Sequence, residues 1–232
     1  MDITRDTVFI PGATSGIGLA LAVRLRAHGA TVIIGGRRRE LLDSLGAEHG
    51  FGTVQLDTTA PASVRAAAAE VTERWPELNA VVLMAGIMVA EDWEGPEALS
   101  TAEAVVTTNV LGPLRLVAAF LDHLRARPAA SIVTVSSGLA FVPLRATPSY
   151  NGSKAFIHMF SESLRLQLAG TGVAVQELVP PAVRTDLMPG HADNPNGMAL
   201  DEYADEVIAL LRDRPDAPDV GSLGTRLAVE IF

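Results

Sequence analysis

A chain of 232 residues, 48% of them hydrophobic and 19% charged, holds material for one folded core with at most a small appendage, and it lacks the composition of a disordered segment. A net charge of −9 argues against nucleic acid as a partner, because neutralising phosphates needs a basic surface. Without cysteine there are no disulfides, thiolate nucleophiles or cysteine metal sites. The apolar runs break well before the roughly 18 residues that span a bilayer, and residues 1–7 carry both signs of charge. No membrane partner is therefore expected, and the expected compartment is cytoplasmic. His28, His49, His123, His158 and His191 are scattered, with no pair three or four residues apart, so no metal is expected, although carboxylate ligands stay open.

The first predicted strand, residues 8–10, runs into Pro11-Gly12-Ala13-Thr14-Ser15-Gly16-Ile17-Gly18 and then a helix over 17–28. A strand feeding a glycine turn that opens a helix aims backbone N–H groups and the helix N-terminus at one spot, which suits a pyrophosphate. Gly12 would allow the turn, Gly16 the close approach of phosphate, and Gly18 the packing of helix on strand. Ser15 is not centred in a Gly-x-Ser-x-Gly elbow, so the turn is not that of a serine hydrolase.

The second strand, 31–34, ends in Gly35-Gly36-Arg37-Arg38-Arg39, with no acid before Glu40. NAD-preferring folds of this type place a carboxylate there for the ribose hydroxyls. A guanidinium binds a 2′-phosphate instead, so Arg37 and Arg38 predict NADP(H), while Arg39 reads as the solvated start of a helix over 39–45. A third strand (53–56), a helix (62–75), a fourth strand (80–83) and a long helical stretch (98–126) follow. That stretch is expected to be two helices meeting near Gly112-Pro113.

The fifth strand, 131–135, leads to Ser136-Ser137, and a helix over 149–169 begins with Tyr150 and Lys154 on one face. A tyrosine is a poor base at neutral pH unless a nearby ammonium favours its phenolate, and Lys154 is placed to do that. Ser137 lies 13 positions before Tyr150 at a strand end, whereas Ser136 reads as closing a turn. After the sixth strand, 173–178, prolines and glycines imply an irregular stretch at about 186–200, then a helix over 200–212. The tail from 213 to 232 has no clear pattern. Continuous apolar strands alternating with helices predict an α/β fold: a single Rossmann-type domain, a doubly wound parallel sheet with helices on both faces.

Taken in order, Gly12 to Gly18, Asp57, Ala85-Gly86, Asn109, Ser137 and Tyr150-x-x-x-Lys154 resemble the short-chain dehydrogenase/reductase family over about residues 7 to 190. The resemblance implies an oxidoreductase acting on carbonyl and secondary-alcohol groups. In it, Tyr150 is the general acid/base, Ser137 holds the substrate oxygen, and Lys154 holds the nicotinamide ribose and lowers the tyrosine pKa. Asn109 would kink its helix and hold a water linking Lys154 to solvent. The implied cofactor contacts are Gly12, Thr14, Ser15, Gly16, Ile17 and Gly18, with Asp57 and Thr58 near the adenine, Ala85 and Gly86 after strand four, and Tyr150 and Lys154. Pro180, Val183 and Thr185 complete them at the nicotinamide end.

Three positions depart from the family pattern. Pro11 replaces a threonine, Leu83-Met84-Ala85-Gly86 replaces Asn-Asn-Ala-Gly, and Pro180-Pro181 replaces Pro-Gly. The first two are expected to exchange a polar tie between loops for apolar packing, and the third to stiffen the nicotinamide-end loop. Residues 88–93, 138–147 and 188–198 are expected to wall the substrate site. Met88, Phe141, Leu144 and Met188 suggest an uncharged, fairly hydrophobic small molecule, with Arg145 or His191 as polar contacts. The family also implies a homodimer or homotetramer. A catalytically silent NADP(H)-binding sensor or scaffold of the same fold is the alternative reading.

Overall fold

The computed structural model describes residues 1–214 and 217–221. Seven parallel strands form one sheet in the order β3-β2-β1-β4-β5-β6-β7. They are β1 (Thr7–Pro11), β2 (Thr31–Gly36), β3 (Gly52–Gln55), β4 (Ala80–Leu83), β5 (Ala130–Val135), β6 (Val173–Val179) and β7 (Asp219–Gly221). The helices are α1 (Gly16–Ala27), α2 (Arg39–His49), α3 (Pro61–Arg74), α4 (Ala98–Val106), α5 (Gly112–Arg125), α6 (Pro148–Gln167) and α7 (Leu200–Asp213).

The strands read as uninterrupted apolar runs because both faces of the sheet are covered. Val8 and Ile10 of β1 join one core, with Leu21 and Leu25 of α1 and Val207 and Leu211 of α7. Phe9, between them, points to the other core, with Val71 of α3, Leu116 and Phe120 of α5 and Leu164 of α6. Pro61, Pro113 and Pro148 sit in the first turns of α3, α5 and α6, where their missing N–H costs nothing.

The stretch expected as two helices is α4 and α5 joined by a π-helical turn, Thr107–Leu111, around the buried Asn109. Gly112, which opens α5, lies against Thr58: an added Cβ would stand 3.3 Å from Thr58 Cβ. The continuous helical segment Ala98–Arg125, with mean hydropathy 1.6, is long and apolar enough to cross a bilayer by length and composition. Charged residues interrupt it all the same, among them Glu103, Arg115 and Asp122. Its apolar side is spent on the core, where Leu116, Val117, Phe120 and Leu124 face the sheet and α3.

β7 is a correction, since no strand is expected after 178. Its three residues pair with 177–179 of β6 and are too few to show a period. What the sequence left unread over 222–232 lies outside the described residues. The chain runs from β1 outwards to β3 and then crosses back to β4, so the sheet order reverses between β1 and β4. In such folds the crevice beyond that reversal, at the carboxyl ends of the strands, is where ligands bind.

Candidate active site

A cleft of about 1510 Å³ opens over this edge. Every candidate catalytic and cofactor-binding residue from the sequence lines it except Asn109, which is buried behind it. At the β1 end, Gly12 (φ +89°) donates its N–H to Gly35 O at 2.8 Å. A Cβ at Gly12 would stand 2.6 Å from Ala85 Cα, and one at Gly18 would be 2.7 Å from Gly12 O and 2.9 Å from Met84 Cγ. The loops after β1 and β4 thus meet backbone on backbone with Met84 wedged in, the apolar packing expected where Pro11 and Met84 stand. Gly16 faces Thr185, whose Cγ2 would be 3.7 Å from an added Cβ, so the two walls converge there. The first turn of α1 carries no acidic residue and its N-cap Ser15 makes no side-chain cap bond, which leaves its positive end for an anion.

Arg37 and Arg38 lie at the end of β2 on the cleft, and Arg38 Nη2 donates to Thr14 Oγ1 at 3.2 Å. Arg39 instead ion-pairs with Asp43 on the exposed start of α2. Asp57 Oδ1 accepts from Thr59 Oγ1 (2.7 Å) and Thr59 N (2.9 Å). These two bonds, the hydroxyl's first, and the nearby Arg37 charge hold the Asp57 carboxyl below its usual range against the opposing effect of burial.

Tyr150 and Lys154 occupy the first turns of α6 and are 6% and 7% exposed. Burial pushes the Tyr150 phenol up to about 12, and only its hydrogen bond with Ser137 works the other way. Burial thus outweighs the lowering expected from Lys154. Within the protein the lysine is itself stripped of water. Its Nζ donates to Val135 O at 2.8 Å and lies 5.5 Å from the Tyr150 ring centre. Burial brings the ammonium down to about 8, opposed by the charge of Glu177.

Ser137 Oγ accepts from Leu139 N at 3.1 Å, which caps a single 3-10 turn, Gly138–Ala140. Ser136 Oγ donates to Leu178 O on the neighbouring strand β6 at 3.4 Å, so it ties the two strand ends together rather than closing a turn. Asn109 Oδ1 accepts from Ile87 N at 2.9 Å, and its Nδ2 donates to Ile87 O (2.9 Å) and Ser153 Oγ (3.2 Å). It therefore ties the π turn to the loop after β4 and to α6. A Cβ on Gly86 would touch both Asn109 Oδ1 (3.3 Å) and Lys154 Nζ (3.9 Å), so Gly86 lets these two groups approach.

At the other end, residues 182–199 form turns closed by a bridge between Val183 and Met198. Arg184 N donates to Met198 O, and Met198 N to Ala182 O. Glu91 anchors the loop after β4 to the start of α6, accepting from Ser149 N (2.9 Å), Ser149 Oγ (2.7 Å) and Trp93 Nε1 (3.0 Å). Met88, Leu144 and His191 line the cleft as expected. Phe141 does not; it packs edge-on to His158 at 4.6 Å. Arg145 does not line it either, and Met188 packs on the cluster of Met88, Val105 and Tyr150. Leu139 and Val142 line the cleft within the expected wall 138–147, whereas sequence reasoning missed Leu187 and also Ser100, Glu103, Ala104 and Thr107, which α4 and the π turn bring to the cleft. No motif marks a helix that enters a site from across the fold.

Behind α6, one atom each of His158, Glu162 and Glu177 lie within 4.8 Å of one another, spacing that could hold a cation. Glu162 pairs with Arg165 at 2.6 Å, and His158 Nδ1 lies 3.0 Å from Glu177 Oε2.

Residues 6–196 match the family model described as short chain dehydrogenase. The chain is 36% identical over 219 residues to the uncharacterized oxidoreductase DltE of Bacillus subtilis, covering 92% of this chain and 87% of that protein. It is 35% identical over 186 residues to sulfoacetaldehyde reductase of Chromohalobacter salexigens, covering 78% and 74%. A short chain dehydrogenase of Burkholderia cenocepacia in complex with NADP superposes with a TM-score of 0.84 at 28% identity, covering 100% of this chain and 92% of that one. The glycine turn, the buried tyrosine–lysine pair and the sheet order thus stand in a match that spans most of the sequence, and the chain belongs to the short-chain dehydrogenase/reductase family of oxidoreductases.

Proposed function

We propose that this protein is an NADP(H)-dependent oxidoreductase for a carbonyl/secondary-alcohol pair, with Tyr150 as general acid in reduction and base in oxidation. The observation that carries it is one continuous cleft with the glycine turn and Arg37–Arg38 at one end and a buried Ser137–Tyr150–Lys154 group at the other. The residues present fit the cofactor. The uncapped positive end of α1 opens onto the cleft beside Gly12 and Gly16 with no acid in its first turn, and cations stand where an NAD-preferring fold keeps an acid. The Burkholderia relative's complex with NADP supports the same choice. When bound, the nicotinamide supplies or accepts the hydride.

The chain moves the proton. In reduction the Tyr150 Oη–H bond breaks and its proton passes to the substrate oxygen, which Ser137 Oγ holds. In oxidation the Tyr150 phenolate takes the hydroxyl proton. A phenol pushed up to about 12 stays protonated at neutral pH, which suits reduction, whereas oxidation needs the phenolate and so should gain rate as pH rises. The Lys154 ammonium stabilises that phenolate and holds the ribose. Asn109 keeps the loop around Gly86 in place beside Lys154 and would hold the water that leads its proton to solvent. Asp57 and Thr58 would meet the adenine side, and Thr185 the carboxamide side.

The apolar lining of Met88, Leu144, Val142 and Leu187 suits an uncharged, fairly hydrophobic substrate, with His191 as a polar contact. The protein is read as cytoplasmic. Phe156, Met159 and Leu166 stand exposed on α6, and Leu99 on α4, as a homodimer or homotetramer interface would require; the mass in solution tests this.

A panel of hydrophobic ketones and alcohols, with sulfoacetaldehyde as a charged comparator, tests the reaction with each cofactor. Turnover of a hydrophobic ketone with NADPH is expected. No turnover of any compound with either cofactor would favour the silent sensor, and preference for sulfoacetaldehyde would overturn the substrate reading. NADPH should bind more tightly than NADH, and Arg37→Ala should narrow that gap by about ten-fold, in line with a lost charged hydrogen bond. Equal affinities in the unmodified protein would sink the arginine assignment.

A further inference from the structure

Glu177 is a carboxylate on β6, 1% exposed, in a position that the reaction so far does not use. A charge so deeply buried is costly unless something compensates it. Its hydrogen-bonding partner is His158, whose Nδ1 lies 3.0 Å from Oε2 and 3.2 Å from Oε1. His158 follows Lys154 by one helical turn, and Lys154 follows Tyr150 by another, so Tyr150, Lys154 and His158 run down one face of α6.

The strands complete the geometry. Lys154 Nζ is fixed to the carbonyl of Val135. Val135 pairs in register with Leu178, and Thr134 with Glu177, so Glu177 sits one residue back on the strand next to the lysine's anchor. His158, which holds the carboxylate, stands one turn of α6 from Lys154, about 5–6 Å between Cβ atoms, so the carboxylate lies beside the next turn of the helix that carries the ammonium.

We propose that Glu177 is a positioning residue for the reaction: its buried carboxylate, clamped by His158, is the counter-charge that keeps Lys154 an ammonium in a site closed to water. This rests on the role proposed above for Lys154. The other charged or titratable groups around Glu177 do not supply that counter-charge. Glu162 on α6 is neutralised by Arg165, Asp219 of β7 is exposed beside it in register, and Tyr150 is a neutral phenol below its own titration. Burial alone depresses the lysine, and the charge of Glu177 opposes that effect.

Alkaline loss of cofactor affinity is the measurable consequence, because a neutral lysine binds the ribose hydroxyls less well. NADPH is the probe, titrated against the intact protein by tryptophan fluorescence from about pH 6 to 10. The wild-type affinity should fall several-fold through a midpoint near 8. Glu177→Gln should move that midpoint down by roughly one pH unit, leaving the affinity below it within two-fold of wild type. Glu177→Asp keeps the charge one methylene further from α6 and should fall between the two. A variant that merely loosened the fold would lower affinity at every pH without moving the midpoint.

An unmoved midpoint in Glu177→Gln overturns the proposal. If the Gln variant does not fold, an unmoved midpoint in Glu177→Asp does the same. Lys154→Met separates the two levels. If it abolishes the alkaline limb while Glu177→Gln leaves the limb in place, only this inference fails. If the limb survives in Lys154→Met, the role given to Lys154 fails and this inference falls with it.

Discussion

At the cofactor end of the cleft the walls are backbone, and at the substrate end they are side chains. Gly12 meets Ala85 so closely that a single methyl group would stand 2.6 Å from a neighbouring Cα. Leu144 and Val89, at the other end, are 38% and 40% exposed and could change size with little consequence for their neighbours. The first end is shaped for one ligand that never varies. The second can be rebuilt residue by residue, and relatives with the same frame can therefore act on different molecules.

The contrast is most easily broken at Gly12. Gly12→Ala combines a positive φ that side chains resist with overpacking against Ala85, together about 3 kcal/mol. A thermal melt should show Tm lower by roughly 10 °C, with NADPH binding lost. A melt unchanged within error would mean that the two loops are not locked together.

Lys154 stands where the two ends meet, and it shows function opposing stability. Its folded-state value, about 8, is below the ordinary lysine value of 10.5. The unfolded chain therefore binds more protons between these limits, so the lysine penalises folding below about pH 8 and the penalty fades as pH rises towards 10.5. Lys154→Met should raise neutral-pH stability by about 2 kcal/mol, roughly 6 °C in Tm, and the gain should vanish in strongly alkaline buffer. A less stable variant would show that the ammonium is compensated in full.

The smallest stability effect is expected at the substrate end. Leu144→Ala should change stability by less than about 0.5 kcal/mol, because the side chain is only partly buried, while it raises KM for a hydrophobic substrate several-fold. A large loss of stability there would erase the distinction between the two ends.

The same contrast explains what could be read in advance. Gly12 to Gly18, Arg37, Ser137 and Tyr150–Lys154 were legible because each depends on local geometry: a turn, a strand end, one face of a helix. The boundaries of the six main strands were legible because burial on both faces leaves an unbroken apolar run. What escaped depends on contacts between distant segments. β7 exists only through its pairing with β6, and Ser100 and Glu103 reach the cleft only because α4 packs on α6. Glu177 lies between Gln176 and Leu178 in a strand, with nothing nearby in sequence to mark it as the neighbour of Lys154. The direction of the Tyr150 shift was missed for a related reason: spacing shows that a lysine is close, but not that both groups are buried.

The most direct test of the proposed chemistry is the turnover of Tyr150→Phe on a substrate found with the wild-type protein, measured beside its NADPH affinity. The phenyl ring keeps the packing and removes only the proton. The expected result is a fall in kcat of about 10²- to 10⁴-fold with NADPH affinity within about three-fold of wild type. Retention of most of the activity would contradict the assignment of Tyr150 as the proton donor.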